Sequence, residues 1–186
     1  MDFSATFERG LSYQDFLTTY ATDEQRRRWE GVFAAVSLSE VQRELLHGFR
    51  REMQVLVVAG TWCGDCVNQC PILAHFAKEN ERIAVRFFDR DENAELANEL
   101  SICGASRVPS VLFLSEDGYV CGRFGDRTLA KYRQMAAEQL GAACPTGLEP
   151  PGTEILARVV QEWLNEFERI QLMLRTSGRL RQLHGD

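Results

Sequence analysis

A segment of six residues, Thr61-Trp62-Cys63-Gly64-Asp65-Cys66, constrains the fold of this chain more than any other part of it. The apolar residues 55–58 before it predict a buried strand, and residues 67–78 after it predict a helix. Because the first turn of a helix has unpaired N–H groups and the positive end of the helix dipole, we expect it to stabilise a thiolate at Cys63. Cys66 lies one turn further along, close enough to attack a mixed disulfide at Cys63. The segment therefore predicts disulfide exchange.

A metal site is the less favoured interpretation of the same cysteines. A Cys-x-x-Cys pair can be half of a zinc site, and Cys70 extends the pattern to Cys63-x2-Cys66-x3-Cys70, which resembles the end of a ferredoxin-type ligand series. A fourth ligand would have to come from Cys103 or Cys121. Ligands on one continuous helix converge poorly on one ion, so we expect no metal and interpret Cys70 as a small core residue. The same interpretation applies to Cys103, Cys121 and Cys144.

Residues 53–140 alternate predicted strands and helices in the order βαβαββα. This order indicates parallel strands joined by helices, closed by an antiparallel hairpin and a last helix. A tight turn at Glu116-Asp117-Gly118 joins the two strands of the hairpin. The strands are predicted at 55–58, 83–88, 110–114 and 119–124, and the helices at 67–78, 93–100 and 128–140.

Two helical segments flank this region. Residues 1–52 show apolar residues at helical spacing and two capping boxes, which begin at Thr22 and Ser37. Residues 141–152 contain three prolines and three glycines, which is typical of a linker. Residues 153–186 are predicted to form a long helix, capped by Thr153 and followed by a frayed tail from about residue 177.

The order of elements around Trp62-Cys63-Gly64-Asp65-Cys66 resembles the thioredoxin family over about residues 53–140. Pro71 stands where the family has a proline in the helix that follows the cysteines, and Val108-Pro109-Ser110 is similar to its cis-proline segment. Gly118 matches the glycine of the hairpin turn. The resemblance implies an α/β, thioredoxin-like fold, here with added N-terminal helices and a long C-terminal helix.

The resemblance also implies an activity. It is that of a thiol–disulfide oxidoreductase that reduces protein or small-molecule disulfides, with Cys63 as nucleophile and Cys66 as resolving cysteine. A reductase or a small dithiol would supply the electrons, and no cofactor beyond the Cys63–Cys66 disulfide is implied. A binding module, in which the helical extensions of the same scaffold dock a partner, is the alternative. The implied substrate contacts are Trp62, Val108 (through its backbone), Pro109 and Gly125.

Three positions depart from the family pattern. Val57 stands where the family often has a buried aspartate beneath the cysteines, so we expect slow ionisation of Cys66. Gly64-Asp65 replaces the Gly-Pro of thioredoxin, and the charge of Asp65 should oppose a thiolate at Cys63. Arg107, two residues before Pro109, either favours acidic substrates or points to solvent.

Composition narrows the partners and the compartment. The net charge of −6 argues against a nucleic-acid binder, which would need a basic face. No apolar run approaches the length that spans a membrane. Six cysteines without a secretory signal indicate a reducing compartment, so we expect a cytoplasmic protein whose partner is a disulfide-containing protein.

The predicted C-terminal helix carries one apolar seam along its length. We expect it to fold back on the N-terminal helices, beside the thioredoxin-like core and away from Cys63; a homodimer through the seam is the alternative. The seam consists of Leu156, Val160, Trp163, Phe167, Ile170 and Leu174, broadened by Val159, Leu164 and Met173. The N-terminal residues expected to meet it are Trp29, Val32, Phe33 and Val36.

Overall fold

A computed structural model describes residues 1–140 and 155–186. The predicted linker at 141–152, the Thr153 cap and Cys144 therefore lie outside the described residues. The helices are α1 (Phe3–Phe7), α2 (Tyr13–Tyr20), α3 (Asp23–Ala35), α4 (Glu40–His47), α5 (Gly64–Glu79), α6 (Ala94–Glu99), α7 (Leu129–Leu140), α8 (Ile155–Thr176) and α9 (Gly178–His184). The strands are β1 (Met53–Ala59), β2 (Ile83–Asp89), β3 (Ser110–Ser115) and β4 (Val120–Gly125).

The four strands form one mixed sheet in the order β2-β1-β3-β4. Strands β1 and β2 are parallel, whereas β3 runs antiparallel to β1 and β4 antiparallel to β3. The α/β, thioredoxin-like fold is confirmed, but the expectation of parallel strands throughout the first part was wrong for β3. Helix α6 has six residues and rises only about 9 Å, less than half the roughly 23 Å of a seven-residue strand, and the chain does not return along the sheet before β3 begins. The chain therefore enters β3 from the end at which β2 finished.

The N-terminal helices cover β2 and one side of α5. Leu11 and Phe87 exchange two backbone hydrogen bonds, so the segment before α2 pairs with the edge strand β2 at this one position. The buried ring of Trp29 contacts Tyr13 and Phe16, and Phe16 in turn contacts Phe87. The capping box at Thr22 is confirmed. The second predicted capping box was wrong by two residues, because Ser39 rather than Ser37 caps α4. Helix α1, which Asp2 caps, was not predicted.

Helix α8 buries its apolar seam within the chain. Phe167 makes edge-to-face contacts with Phe76 of α5 and Phe113 of β3, and Trp163 does so with Phe124 of β4. The prediction that the two extensions pack together is confirmed for α4, which contacts α8 and whose Gln42 donates to Gln161 at 2.9 Å. The predicted partner residues Trp29 and Phe33 were wrong, because Tyr13 already covers them, and α8 packs mainly on α5 and the sheet. Met173 is exposed rather than part of the seam. No helix in the described ranges is long and apolar enough to cross a membrane.

The tail is not frayed, in contrast to the prediction. Residues Gly178–His184 form α9, which Ser177 caps with its side chain. Leu180 is 1% exposed, and the guanidinium of Arg51 pairs with the carboxylate of Asp186. Arg179 also donates to Asp117 in the hairpin turn at 3.0 Å. These contacts are tertiary, and periodicity within a ten-residue tail does not reveal them.

Candidate functional site

The cysteine pair lies in a tight turn between β1 and α5. Cys63 is the N-cap residue of α5, and its backbone N–H donates to the carbonyl of Gly60 at 3.0 Å. The N–H of Gly60 lies 3.5 Å from the Sγ of Cys66. Cys63 is half-buried, and Cys66 is fully buried beneath it. The orientation of one peptide segment therefore sets the positions of both sulfur atoms.

The segment around Pro109 faces this turn. The Sγ of Cys63 donates to the carbonyl of Val108 at 3.5 Å, and the Val108–Pro109 peptide bond is cis. Gly125 pairs with Ser110 and has φ +137°. A Cβ on Gly125 would lie 2.4 Å from the carbonyl oxygen of Pro109, so only glycine permits this close approach. The structure thus brings Cys63, Val108, Pro109 and Gly125 together.

The protonation of the two thiols differs from the expectation of a stabilised thiolate. A hydrogen bond with the Cys66 thiol, burial and repulsion from Cys66 together raise the pKa of the Cys63 thiol. The backbone N–H groups of Cys66 and Asp65 at the start of α5 act in the opposite direction but do not prevail. Burial also raises the pKa of the Cys66 thiol. With both thiols reduced, the pair therefore holds its protons at neutral pH.

The carboxylate of Asp65 does not stand alone beside Cys63, as the sequence suggested. Its Oδ2 lies 2.6 Å from the Nη2 of Arg127, and both side chains are largely buried. The pair neutralises the charge that was expected to oppose a thiolate. Arg127 was missed because it lies far from Asp65 in sequence, although its place two residues after Gly125 was a usable signal.

Asp126 connects Arg127 to a second arginine. Its carboxylate lies 2.8 Å from Arg127 and 3.3 Å from Arg107, and it accepts a hydrogen bond from the hydroxyl of Tyr132. Burial tends to raise the pKa of Asp126, but these donors and its own backbone amide outweigh burial and lower it. Arg107 therefore has a partner on one side while its side chain stays 39% exposed on the other.

The structure also places three further positions that the sequence singled out, which are Trp62, Gly64 and Val57. The ring of Trp62 is 48% exposed, and the guanidinium of Arg90 stacks on it with its carbon 4.4 Å from the ring centroid. Gly64 begins α5 and leaves open space beside Cys63, since a Cβ there would contact nothing within 4 Å. Val57 is fully buried in β1, where it pairs with Phe87 and Val111.

The remaining described cysteines do not join the pair in a metal site. Cys70 is fully buried and interacts with the Cys66 thiol, which agrees with a small core residue. Cys121 is partly buried against the core. Cys103 was placed wrongly in the core: it is exposed, in the turn between Ile102 and Ala105, with φ +52°. Within residues 1–140 and 155–186, no group of three His, Cys, Asp or Glu side chains is arranged to hold a metal ion.

Comparison with solved structures places the whole fold, extensions included, among known ones. A protein of unknown function from Pseudomonas aeruginosa is 17% identical with a TM-score of 0.70, over 91% of this chain and 96% of that one. An HIV epitope-scaffold is 18% identical with a TM-score of 0.64, over 90% of this chain and 99% of its own. A thioredoxin from Fasciola hepatica is 26% identical over 51% of this chain and 88% of its own, with a TM-score of 0.37.

Sequence comparison identifies the family. No curated protein matches the chain significantly. The profile of a family described as Thioredoxin matches residues 10–139, so the matched region begins within the N-terminal helices and not at about residue 53, where the resemblance was expected to start. The chain therefore belongs to the thioredoxin family.

Proposed function

We propose that the protein is a thiol–disulfide oxidoreductase that reduces disulfides of proteins or small molecules through Cys63 and Cys66. One observation carries the proposal: Cys63 lies at the first turn of α5 with the fully buried Cys66 hydrogen-bonded to it, and its Sγ faces Val108 at 3.5 Å. Two purely structural cysteines would both be buried, whereas the Cys63 side chain is partly accessible to solvent. The open space beside Gly64 and the exposed ring of Trp62 leave room for a substrate.

In the first step, the thiolate of Cys63 attacks one sulfur of the substrate disulfide. A bond forms between Cys63 and that sulfur while the substrate disulfide breaks, and the other substrate sulfur leaves as a thiolate that takes up a proton. The N–H groups of Asp65 and Cys66 stabilise the Cys63 thiolate as it forms. Because the pKa of the Cys63 thiol is raised, the rate of this step increases with pH above neutrality.

In the second step, Cys66 loses its proton and attacks the Sγ of Cys63. The Cys63–Cys66 bond forms, the mixed disulfide breaks, and the second substrate sulfur leaves as a thiolate that is protonated. The substrate has gained two electrons and two protons, and the cysteine pair is oxidised. A reductase or a small dithiol returns the electrons. We place this cycle in the cytoplasm, because the chain has six cysteines and a reducing compartment keeps cysteines as free thiols.

Trapping tests the proposal directly. Cys66→Ser should hold a model protein disulfide as a mixed disulfide at Cys63, detected by mass spectrometry and released by dithiothreitol. Wild type should reduce the same protein with dithiothreitol as donor, and both Cys63→Ser and Cys66→Ser should abolish turnover. Cys103→Ser, which changes an exposed thiol outside the pair, is the matched control and should keep full activity.

Two outcomes would contradict the proposal. Unchanged turnover in Cys63→Ser would exclude Cys63 as the nucleophile. A wild type without turnover, together with a Cys66→Ser variant that traps nothing, would favour a binding module on the thioredoxin scaffold.

A further inference from the structure

We infer that two buried tryptophans of the helical extensions, Trp29 in α3 and Trp163 in α8, are positioning residues for the Cys63–Cys66 site. The inference rests on the proposed function and adds to it what the extensions contribute. The indole N–H of Trp29 donates to a carbonyl in the turn before α5. The indole N–H of Trp163 donates to Gln69, which is connected through other residues to the first turn of α5. Although the extensions were expected to lie away from Cys63, both are connected to its site through hydrogen bonds.

The N-terminal connection reaches the turn itself. The Nε1 of Trp29 donates to the carbonyl of Thr61 at 3.0 Å, and both residues are buried. Thr61 is a central residue of the turn in which the carbonyl of Gly60 accepts from Cys63. A carbonyl in the middle of a turn points away from it, and when buried it needs a donor from elsewhere. Trp29 is that donor, so α3 sets the orientation of the peptide that precedes Trp62.

The hydroxyl of Thr61 strengthens the same connection. Its Oγ1 lies 3.2 Å from the carbonyl of Tyr20 and 3.1 Å from the Oε1 of Gln25, so its one proton is shared between α2 and α3. Gln25 is itself held by the capping box of α3 with Thr22. The turn in which Gly60 contacts the Sγ of Cys66 and the backbone N–H of Cys63 is thus fixed from outside the thioredoxin-like core.

The C-terminal connection runs through α5. The Nε1 of Trp163 donates to the Oε1 of Gln69 at 3.1 Å, and the Nε2 of Gln69 donates to the carbonyl of Asp126 at 2.9 Å. Gln69 is 2% exposed, so both ends of its amide are committed to these two partners. Asp126 binds Arg127, which pairs with Asp65 in the first turn of α5. Helix α8 is therefore connected to Asp65, one of the two residues between the cysteines, by a continuous series of polar contacts.

Loss of either connection should have the same direction of effect at Cys63. A loosened turn aligns the N–H groups of Asp65 and Cys66 less well on the sulfur, and a displaced Asp126 weakens the neutralisation of Asp65 by Arg127. Both changes disfavour the thiolate. We therefore expect slower alkylation of Cys63 and a higher pH midpoint in each case.

The test removes each N–H while keeping an aromatic ring, in the full-length chain. Trp29→Phe and Trp163→Phe are compared with Phe16→Leu, which alters a ring in contact with Trp29, and with Phe167→Leu, which alters a ring on the same helix as Trp163. The two controls remove buried apolar volume but no hydrogen-bond donor. The readouts are the pH profile of iodoacetamide alkylation at Cys63, resolved by mass spectrometry, and the equilibrium with oxidised dithiothreitol.

We expect each indole variant to slow alkylation on the order of fivefold, the effect of one net hydrogen bond, and to change the dithiothreitol equilibrium. The controls should lower only the melting temperature. Folded indole variants whose profiles coincide with wild type, or controls that shift the profile equally, would overturn the inference. If an indole variant does not fold, Thr61→Val removes the hydroxyl contacts that connect the same turn to α2 and α3, and Gln69→Leu removes the amide between Trp163 and Asp126; both are judged by the same criteria. Neither readout needs a substrate, so a wild type without turnover would count against the proposed function and not against this inference.

Discussion

The guanidinium of Arg127 neutralises the carboxylate of Asp65 across 2.6 Å, in the first turn of the helix that the proposed nucleophile caps. If this pair acts on Cys63 through charge, Arg127→Gln should raise the pKa of the Cys63 thiol further by leaving Asp65 uncompensated. Alkylation of Cys63 at fixed pH should slow by about fivefold, the effect expected of one charge several ångströms away at moderate screening. Asp65→Asn should accelerate alkylation, because it removes the negative charge next to Cys63 while the cation of Arg127 stays.

The double variant is the control for this prediction. Asp65→Asn with Arg127→Gln removes both charges and should restore a pH profile close to wild type. If Asp65 opposed the thiolate on its own, Arg127→Gln would leave the profile unchanged. That result would refute the neutralisation.

Because of Asp126, the free energy of unfolding should decrease at acidic pH. Its side chain is 3% exposed and its pKa is lowered, so the native state binds this proton less readily than the unfolded state. The stabilisation is complete above the ordinary aspartate pKa of about 4 and is lost as the pH falls below it. Asp126→Asn should therefore cost about 2 kcal/mol at pH 7 and much less at pH 3.

Urea unfolding at the two pH values measures this difference. Asp91→Asn removes a 59% exposed carboxylate that pairs with Arg90, and it should change little at either pH. An Asp126→Asn variant with equal losses at pH 7 and pH 3 would contradict the assignment.

Most single elements could be predicted from local pattern, because local interactions determine them. The apolar residues at 55–58 indicated β1, and the turn around Gly118, with φ +81°, indicated the hairpin between β3 and β4. Pro71 lies within α5 as the resemblance implied. The boundaries that were wrong, such as the start of α4 at Glu40, depended on which of two nearby serines captured the first N–H groups.

Tertiary partners could not be predicted in the same way. The seam on α8 showed that Trp163 and Phe167 needed cover, but the same apolar pattern fits any apolar surface. Trp29 could not supply that surface because Tyr13 packs against it, and the spacing of apolar residues in the sequence does not reveal this contact. The pairing of Asp65 with Arg127 likewise joins α5 to the residues just after β4, and only the place of Arg127 two residues after Gly125 hinted at it in the sequence.

Val57 offers a test of how Cys66 loses its proton. Val57→Asp should speed the resolution of the mixed disulfide by placing a proton acceptor beneath the pair. It should also destabilise the fold by about 3 kcal/mol, because a buried carboxyl without partners is costly. Burial raises the pKa of such a carboxyl in the folded state, so the loss should grow as the pH rises above about 4.

Stopped-flow measurement of mixed-disulfide release, with urea unfolding, checks both parts. Val57→Asn is the matched control: it buries a polar group of the same shape that cannot titrate, so its cost should not vary with pH and resolution should not accelerate. Slower resolution of the mixed disulfide in Val57→Asp than in Val57→Asn would contradict the prediction.

Phe167 should distinguish burial within the chain from burial in a dimer. Phe167→Ala should cost about 3–5 kcal/mol, because the ring is fully buried against Phe76 and Phe113. Leu172→Ala, on the same helix but 55% exposed, should stay within about 0.5 kcal/mol of wild type. Denaturant unfolding gives both values, and sedimentation should show wild type as a monomer. A dimer that Phe167→Ala converts to a stable monomer would support the alternative.

Two leucines of α9 test whether the tail is docked. Leu180 is 1% exposed and Leu183 is 66% exposed, although they lie one turn apart on the same short helix. A helix of seven residues is not stable alone, so α9 depends on the burial of Leu180 and on the ion pairs of Arg179 with Asp117 and of Asp186 with Arg51. Leu180→Ala should therefore weaken docking by roughly 2–3 kcal/mol and Leu183→Ala by less than about 0.5 kcal/mol. Limited trypsin digestion reports this difference, since Arg179 and Arg181 become cleavable when α9 undocks. Rapid cleavage at these sites in wild type, or equal cleavage in the two variants, would mean that the tail is frayed after all.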